Sequence, residues 1–295
     1  MPDAMCTFVP LADRLTLAAM ELKSTLYAVR DRIATITLNR PHRGNGWTGR
    51  MHSEYRYLLG EAEEDPDVGA ILVTGAGRMF CVGGDAQALE GHSERGGYDP
   101  GTAPDLITPG SREFAAFVED FAYHFALSKP VIVALNGAAA GVGLVLACYA
   151  DVRFAVPGAK LTTAHGPLNL PAEYGLSWLL PRLIGGAQAL ELLLSSRKFL
   201  TDEAHQMGLV HRLCDGDALE DEARAYAIDL ITRVSPESLR QSKRQFWLDQ
   251  HRDVGAAVRD AGVLLDEMMG QADYREAIKA FLEKRPATWG KEGGA

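Results

Sequence analysis

The sequence lacks the features that mark membrane, zinc-binding and nucleic-acid-binding proteins. It has only four cysteines, none in a C-x-x-C pair, so no metal site is expected. No apolar run reaches about 18 residues, so we expect no transmembrane helix and no membrane partner. The net charge is −9 without a long basic run, which argues against nucleic acid as the main partner. The N-terminal residues lack the basic start and long apolar run of a secretory signal, so we expect a cytoplasmic protein.

What the sequence does contain is enough apolar material for a sizeable core. Apolar residues make up 47% of the 295 positions, which suits one large α/β domain or such a domain with a small helical part. The cysteines are scattered, and three of them lie in apolar or glycine-rich surroundings that favour reduced, buried thiols. The four cysteines are Cys6, Cys81, Cys148 and Cys214.

The order of the predicted elements indicates a mainly parallel sheet wrapped by helices, followed by a helical C-terminal part. Strands alternate with helices through the first two-thirds of the chain, and helices fill the last third. We expect a flexible N-terminal tail over residues 1–24, a core over 25–215 and a helical region over 216–295. The predicted elements include a hairpin over 25–40, a helix from Thr48 to about Glu64, a polar loop over 90–111 and a helix over 112–127.

Two glycine-rich turns carry the strongest functional signal. An apolar run over 131–135 ends at Asn136-Gly137, small residues continue to Gly143, and an apolar helical pattern follows. A second turn, Phe80-Cys81-Val82-Gly83-Gly84-Asp85, follows the apolar run over 70–74. Free backbone N–H groups at such turns suit an anion, or a carbonyl oxygen that becomes one. Two such turns can place two N–H donors on one oxygen.

The downstream turn also resembles the phosphate-binding turn of short-chain dehydrogenases. Two observations argue against that interpretation. Such a turn follows the first strand of a dinucleotide fold, whereas this one comes after more than 130 residues. The dehydrogenases also use a Tyr-x-x-x-Lys pair, and no tyrosine here has a lysine four residues further on.

Together, the motifs resemble the crotonase family, also called the enoyl-CoA hydratase/isomerase superfamily, over almost the whole chain from Thr25 to Trp289. Each motif alone is weak, but their order and spacing are specific. They are Asn39-Arg40-Pro41, the run over 64–75, Phe80–Asp85, Lys129-Pro130 through Asp151, Leu179-Leu180-Pro181-Arg182-Leu183-Ile184-Gly185, Ala204–Val210 and Phe281-Leu282-Glu283-Lys284-Arg285.

The resemblance implies an α/β fold with a crotonase-type spiral of ββα turns and a C-terminal helical region that builds homotrimers, in some relatives paired into hexamers. It implies an acyl-CoA thioester as substrate, with coenzyme A as part of the substrate and no separate cofactor. By position in the motifs, the N–H groups of Gly84 and Val142 would form the oxyanion hole for the thioester oxygen.

The resemblance also implies contacts to coenzyme A. Backbone groups at Gly83, Asp85 and Ala86 would meet the bend between adenine and pantetheine. Three basic residues near the first motif would approach the phosphates, and two C-terminal residues would reach the ligand of a neighbouring subunit. A solvated surface role is an equal alternative for each of these side chains, and Asp85 also suits a capping role for the helix that follows it. The five residues are Arg40, His42, Arg43, Phe281 and Lys284.

The chain departs from the hydratase pattern at the reacting centre. Hydratases of this family hold a water between two glutamates, and the corresponding positions here are Val145 and His165. Efficient hydration by that mechanism is therefore not expected. His165 is consistent with a general base, a neutral hydrogen-bonding group in a pocket wall or a packed core residue.

One acid remains near that centre. Glu173 lies at the position that carries the catalytic aspartate of dienoyl-CoA isomerases and the nucleophilic aspartate of chlorobenzoyl-CoA dehalogenases. It is consistent with a proton shuttle of raised pKa or with a helix N-terminal glutamate. We therefore expect an acyl-CoA-converting enzyme that favours isomerisation over hydration. Thioester hydrolysis or decarboxylation, and a catalytically weak acyl-CoA-binding homologue, are the alternatives.

Overall fold

The first strands form an antiparallel hairpin, as predicted. The computed structural model describes residues 20–85, single positions at 87, 90, 91 and 94, and residues 117–290. Strand β1 (Thr25–Arg30) pairs with β2 (Ile33–Leu38). Asp31 and Arg32 turn the chain with left-handed φ angles of 54° and 63°. Of the tail predicted over 1–24, residues 1–19 lie outside the described residues.

The main sheet contains six strands in the order β1-β2-β3-β4-β6-β9. Every pair beyond the hairpin is parallel. The two central strands are buried along their whole length, which explains their continuous apolar sequences. The remaining bounds are β3 (Ala70–Gly75), β4 (Val131–Leu135), β6 (Val152–Ala155) and β9 (Arg212–Leu213).

A second, three-stranded sheet was not predicted. Strand β5 (Ala139–Ala140) pairs in parallel with β7 (Lys160–Thr162), and β7 pairs antiparallel with β8 (Phe199–Leu200). These strands have two or three residues each, so they leave no alternating pattern in the sequence. They connect the downstream glycine turn to the segment that carries His165.

Helices cover the sheet and form the C-terminal third. Three of them begin at side-chain caps: the hydroxyls of Thr48 and Ser235 and the carboxylate of Asp253 accept backbone N–H groups of the first turn, at 3.0–3.2 Å. The helices are α1 (Gly49–Glu64), α2 (Val142–Tyr149), α3 (Leu176–Ile184), α4 (Gly186–Ser195), α5 (Thr201–Gln206), α6 (Leu219–Arg233), α7 (Pro236–Leu248), α8 (Val254–Met269) and α9 (Ala272–Glu283).

The C-terminal helices differ in what they contact. Helix α6 packs Leu219, Ala223 and Ala227 against the face of the main sheet. Helix α8 contains no buried residue, and α8 and α9 leave several large apolar side chains exposed, including Phe281 at 80%. The helical content predicted for the last third of the chain is therefore confirmed, and its outermost helices present an apolar surface.

The helix predicted over 112–127 is wrong in its described part. The chain turns at Phe121, whose φ is +64°, and continues as a 3-10 helix over Ala122–Ala126. His124 Nδ1 donates to the carbonyl of Phe121 (2.6 Å), and its Nε2 accepts from the hydroxyl of Tyr55 (2.8 Å). Burial of these aromatic side chains overrides the local helical pattern. The loop predicted over 90–111 lies almost entirely outside the described residues.

Two further observations concern expectations from composition. Within residues 20–85 and 117–290, no helix has both the length and the apolar character needed to cross a bilayer.

Cys81, Cys148 and Cys214 are buried free thiols, and burial raises the pKa of the first two to about 12. They are therefore packing residues, while Cys6 lies outside the described residues.

Candidate active site

The two glycine-rich turns lie side by side. Strands β3 and β4 are parallel neighbours, so the turns that follow them meet at the same edge of the sheet. They are joined directly: Cys81 N–H donates to the carbonyl of Ala138 (3.2 Å), and Ala140 N–H donates to the carbonyl of Cys81 (3.0 Å). The first requirement of the predicted site, proximity of the two turns, is met.

The N–H of Gly84 points away from Trp47, with which Gly84 forms a parallel bridge. Trp47 N–H donates to the carbonyl of Gly83 (2.7 Å), and Asp85 N–H donates to the carbonyl of Trp47 (2.9 Å). In such a parallel bridge the central residue, Gly84, directs its own N–H to the opposite side. Within the described part of the chain this N–H has no acceptor, so it is available to a ligand.

The N–H of Val142 is available for a different reason. Val142 is the first residue of α2, and the first N–H groups of a helix have no acceptor within the helix. The N–H of the preceding Gly141 donates to the carbonyl of Thr162 (3.1 Å). Among the described residues none accepts from Val142. The helix dipole adds positive potential at this end, so an anion is favoured beside the Val142 amide.

Glycine is required where the turns touch. A Cβ on Gly83, whose φ is +100°, would lie 3.1 Å from the carbonyl oxygen of Ala140. A Cβ on Gly143 would lie 2.2 Å from the carbonyl oxygen of Cys81, a distance that no real contact adopts. The close approach of the turns therefore depends on these glycines.

His165 follows β7 on the side of the downstream turn. Its side chain is 9% exposed, and Nδ1 is buried with no hydrogen-bond partner among the described residues. Its turn is fixed from α4: the Ser196 hydroxyl accepts from Gly166 N–H (3.0 Å), and Ala164 adopts a φ of +59°. Val145 is buried on α2, one turn after Val142. The correspondence of Val145 and His165 to the two hydratase glutamates stays a prediction.

Glu173 is half-buried in the turn that precedes α3. Its carbonyl accepts from Leu176 N–H (3.0 Å). The hydroxyl of Tyr149, the last residue of α2, donates to the carbonyl of Tyr174 (2.7 Å). The helix that presents the Val142 amide at one end therefore holds the turn of Glu173 at the other.

The basic residues predicted to contact coenzyme A differ in their surroundings. Arg40 Nη1 donates to the carbonyl of Gly46 (2.6 Å) and pairs with Asp85 Oδ2 at 3.0 Å, so it braces the upstream turn. His42 and Arg43 are exposed in a 3-10 helix beside that turn. A role of Arg40, His42 and Arg43 in binding phosphates stays a prediction.

Asp85 has the contacts of a capping carboxylate. Its Oδ1 accepts from Gln87 N–H (3.0 Å). Burial alone would raise the pKa of Asp85, but the hydrogen bonds from Gln87 and Arg40 outweigh burial and hold that pKa below its usual value. The neighbouring Ala86 lies outside the described residues. Asp85 is therefore a charged structural link, which agrees with the capping role considered from the sequence.

The two C-terminal residues predicted to reach a neighbouring ligand lie at the end of α9. Phe281 is exposed, and Lys284 ends the helix with a φ of +53°. Their contact with another subunit's ligand stays a prediction. No cluster of three or more His, Cys, Asp or Glu side chains suited to a metal ion occurs in the described ranges.

Sequence reasoning missed an aromatic cluster between the upstream turn and the turn of Glu173. The ring of Phe121 lies at its centre, with centroid distances of 4.9–6.2 Å to six neighbours. Three elements and their connecting turns contribute these rings, so no local sequence spacing predicts the cluster. The six are Trp47, His52, Tyr123, His124, Tyr149 and Tyr174.

Comparison with known proteins identifies the family to which the chain belongs. The enoyl-CoA hydratase/isomerase family matches residues 29–292. The 1,2-epoxyphenylacetyl-CoA isomerase of Escherichia coli is 35% identical over 262 residues, covering 86% of this chain and 93% of that protein. The short-chain-enoyl-CoA hydratase of Clostridium acetobutylicum is 28% identical over 268 residues, covering 90% and 97%.

A solved structure shows the same fold. The enoyl-CoA hydratase/isomerase from Mycobacterium paratuberculosis superposes with a TM-score of 0.74 at 28% identity, covering 91% of this chain and 98% of that one. The parallel sheet, the paired glycine turns and the C-terminal helices define an α/β protein of the crotonase type. The chain belongs to the enoyl-CoA hydratase/isomerase family and is an enzyme of that family.

Proposed function

We propose that this enzyme binds an acyl-CoA thioester and stabilises its enolate between the N–H groups of Gly84 and Val142. The observation that carries the proposal is that these two amides, in adjoining turns, have no acceptor within the described residues. A thioester oxygen gains negative charge when a proton leaves the alpha carbon. Donors fixed before the reaction stabilise that charge without reorganising.

We further propose isomerisation in preference to hydration. Val145 carries no group that can hold or activate water, and it is buried on α2. The site therefore lacks the paired carboxylates that addition of water requires. The relatives include both an isomerase and a hydratase, and the absence of a carboxylate at Val145 supports isomerisation in our proposal.

Double-bond migration needs only one group that takes and returns a proton. In a 3-enoyl-CoA, a base removes a proton from C2, the electrons form a dienolate whose negative charge rests on the thioester oxygen, and the proton returns to C4. The product is the conjugated 2-enoyl-CoA. Glu173 is our candidate for the proton carrier because its turn is held by Tyr149 from the helix of Val142. His165, with its unpartnered Nδ1, is the second candidate.

The remaining contacts of the substrate and the assembly follow the family. We propose that His42 and Arg43, exposed beside the upstream turn, meet the phosphates of coenzyme A. We also propose a homotrimer, with a dimer of trimers as its larger form, because exposed apolar surface of this extent marks an interface. That surface includes Val254, Val258, Phe281 and Leu282.

The reaction is tested with purified protein, crotonyl-CoA and a 3-enoyl-CoA, by following the absorbance of the conjugated thioester. We expect the 3-enoyl-CoA to gain that absorbance and crotonyl-CoA to lose it only slowly. Glu173→Gln should slow the gain strongly because it removes the proton-accepting form. Glu61→Gln, an exposed change on α1, is the matched control and should leave the rate unchanged.

Two outcomes would contradict the proposal. Rapid hydration of crotonyl-CoA that survives Glu173→Gln and His165→Ala would refute the assigned roles. Calorimetry that detects no binding of any acyl-CoA would remove the substrate class altogether. Binding without turnover of either substrate would favour a weakly catalytic acyl-CoA-binding protein over an isomerase.

A further inference from the structure

The turn that carries His165 meets both glycine-rich turns at Gly141. A Cβ built on Gly141 would lie 3.8 Å from the Cα of Gly83 and 4.0 Å from the Cβ of Ala164. Gly141 directly precedes Val142, and Ala164 directly precedes His165. The contact at Gly141 therefore fixes the backbone of His165 relative to the amide that we propose to hold the thioester oxygen.

One residue, Ser196, holds this turn on both sides of His165. Its carbonyl accepts from the hydroxyl of Thr162 (2.9 Å), and its hydroxyl accepts from the N–H of Gly166 (3.0 Å). The hydroxyl of Thr162 in turn accepts from the N–H of Ala164 (3.1 Å). Ser196 is only 7% exposed, and hydrogen bonds formed away from water are electrostatically stronger.

The hydroxyl of Ser196 also connects the turn to helix α4. It lies 3.1 Å from the hydroxyl of Thr163, which lies 3.4 Å from the carbonyl of Leu192 in that helix. Because the Ser196 oxygen already accepts from Gly166, its own hydrogen is free to donate to Thr163, and Thr163 to Leu192. Each hydroxyl in this chain then accepts one hydrogen bond and donates one, so the turn of His165 is anchored to α4.

Ser196 adopts a backbone conformation that serine rarely takes. It ends α4 with a φ of +47° and a ψ of +26°, in the left-handed region. Glycine, and less often asparagine, fills this position after a helix, because other side chains are strained there. Strained residues persist where their surroundings enforce them, and they cluster at functional sites. Here the serine provides what glycine lacks, a side-chain acceptor for Gly166.

The imidazole of His165 depends on this support for its position. Its Nδ1 is buried and has no hydrogen-bond partner among the described residues, so no side chain orients the ring through that nitrogen. The next residue, Gly166, passes so close to Ser196 that a Cβ on it would lie 2.8 Å from the Ser196 oxygen. Without that oxygen, the backbone beside His165 loses a hydrogen bond and a packing contact together.

Resting on the proposed function, we propose that Ser196 is a positioning residue for proton transfer: its hydroxyl holds the turn of His165 against Gly141 and so fixes the distance between His165 and the thioester at Val142. Ser196 acts through His165 and touches no substrate. A misplacement of about 1 Å can slow a reaction by up to about 100-fold. The hydroxyl is therefore expected to contribute to kcat beyond any effect on stability.

Replacing Ser196 with glycine separates position from stability. Ser196→Gly removes the hydroxyl but suits the left-handed backbone, so lost hydrogen bonds and relieved strain oppose each other. Thermal unfolding should therefore change little. In the 3-enoyl-CoA assay kcat should fall by about tenfold or more, while KM changes by less than about twofold. Ser196→Ala removes the same hydroxyl and keeps the strain, so it should unfold at a lower temperature and lose the same share of kcat.

A double-mutant cycle shows whether Ser196 acts through His165. His165→Ala alone should lower kcat, and adding Ser196→Gly to it should cause no further loss, because the group that Ser196 positions is gone. Ser195→Ala is the matched control: Ser195 is the exposed neighbour, and its hydroxyl accepts from the N–H of Arg197 (3.2 Å). It should leave kcat and KM unchanged.

Each result decides the question. An unchanged kcat in Ser196→Gly and Ser196→Ala, or in His165→Ala, overturns the positioning role and leaves the acyl-CoA function standing. Equal losses from Ser196→Gly with and without the imidazole of His165 show that Ser196 does not act through it and also overturn the inference. Failure of the unaltered protein to isomerise any 3-enoyl-CoA overturns the proposed isomerisation together with this inference.

Discussion

Replacing Val142 with proline removes one proposed oxyanion donor and changes little else. Val142 is the first residue of α2, where proline is well tolerated because the missing N–H has no acceptor in the helix. The preceding Gly141 has a ψ of −124°, outside the helical region that a following proline disfavours. The substitution therefore removes the N–H that we propose to face the thioester, without breaking a hydrogen bond of the described chain.

The expected loss follows from the number of donors. If two amides share the charge of the enolate oxygen, removing one costs about 2.7–4 kcal/mol of transition-state stabilisation, or roughly 100- to 1,000-fold in kcat. The free energy of unfolding should change by only about 1 kcal/mol, because proline suits the first helical position. The variant should therefore lose most of its activity while keeping nearly the stability of the unaltered enzyme.

The assay is the appearance of conjugated thioester from a 3-enoyl-CoA, with thermal unfolding measured on the same samples. Val142→Ala is the control: it keeps the N–H and should retain most of kcat, even though it loses buried methyl groups. A Val142→Pro protein that folds and isomerises as fast as the unaltered enzyme would refute the oxyanion role of this amide.

Three further substitutions test the support of the site. Tyr149→Phe deletes the 2.7 Å hydrogen bond to Tyr174 and should lower the free energy of unfolding, measured by denaturation, by about 1 kcal/mol. In steady-state kinetics it should change kcat more than KM. Gly143→Ala places a Cβ 2.2 Å from the carbonyl oxygen of Cys81 and should cost about 1–3 kcal/mol of unfolding free energy and most of the activity. Burial lowers the pKa of His124 to about 3; its contribution is therefore complete above the unfolded pKa of about 6.5 and is lost as the pH falls toward 3. His124→Phe should flatten the pH dependence of unfolding in that window.

Each of these expectations has a result that would contradict it. An unchanged kcat in Tyr149→Phe would show that the turn of Glu173 is held independently of α2. Gly60→Ala, a helical position with open space around it, controls for the glycine change and should be neutral or stabilising; equal behaviour of Gly143→Ala would show that the turns do not touch as described. An unaltered pH slope in His124→Phe would exclude His124 as its source and leave His52 and His211, whose pKa values burial also lowers.

Much of the fold follows from local signals in the sequence. The turn at Asp31 and Arg32 predicts the hairpin, and the cap at Thr48 predicts the start of α1. Continuous apolar runs predict the buried parallel strands. The adjoining glycine turns were also predicted, because parallel strands that end at one edge of a sheet bring their following turns together.

The features that the sequence did not predict depend on distant partners. Strand β5 exists because Ala139 and Ala140 pair with β7, about twenty residues further on, and two alanines carry no strand signal of their own. Arg40 is a further case: its ion pair with Asp85 holds the upstream turn, and no spacing rule links these positions.

The site was predictable only in part for the same reason. Gly84 and Val142 were located from the motifs, since backbone donors depend on the turn and not on a side chain. The aromatic cluster around Phe121 was not predicted, because its rings come from three elements and the turns between them. Such a cluster appears only once the chain is folded.

The most direct test of the central claim is a crystal structure of the enzyme with a bound acyl-CoA. We predict that the thioester oxygen lies between the upstream and downstream turns, about 2.7–3.1 Å from the backbone nitrogens of both Gly84 and Val142. A thioester oxygen that contacts neither nitrogen, or only one of them while the other meets solvent, would contradict the account.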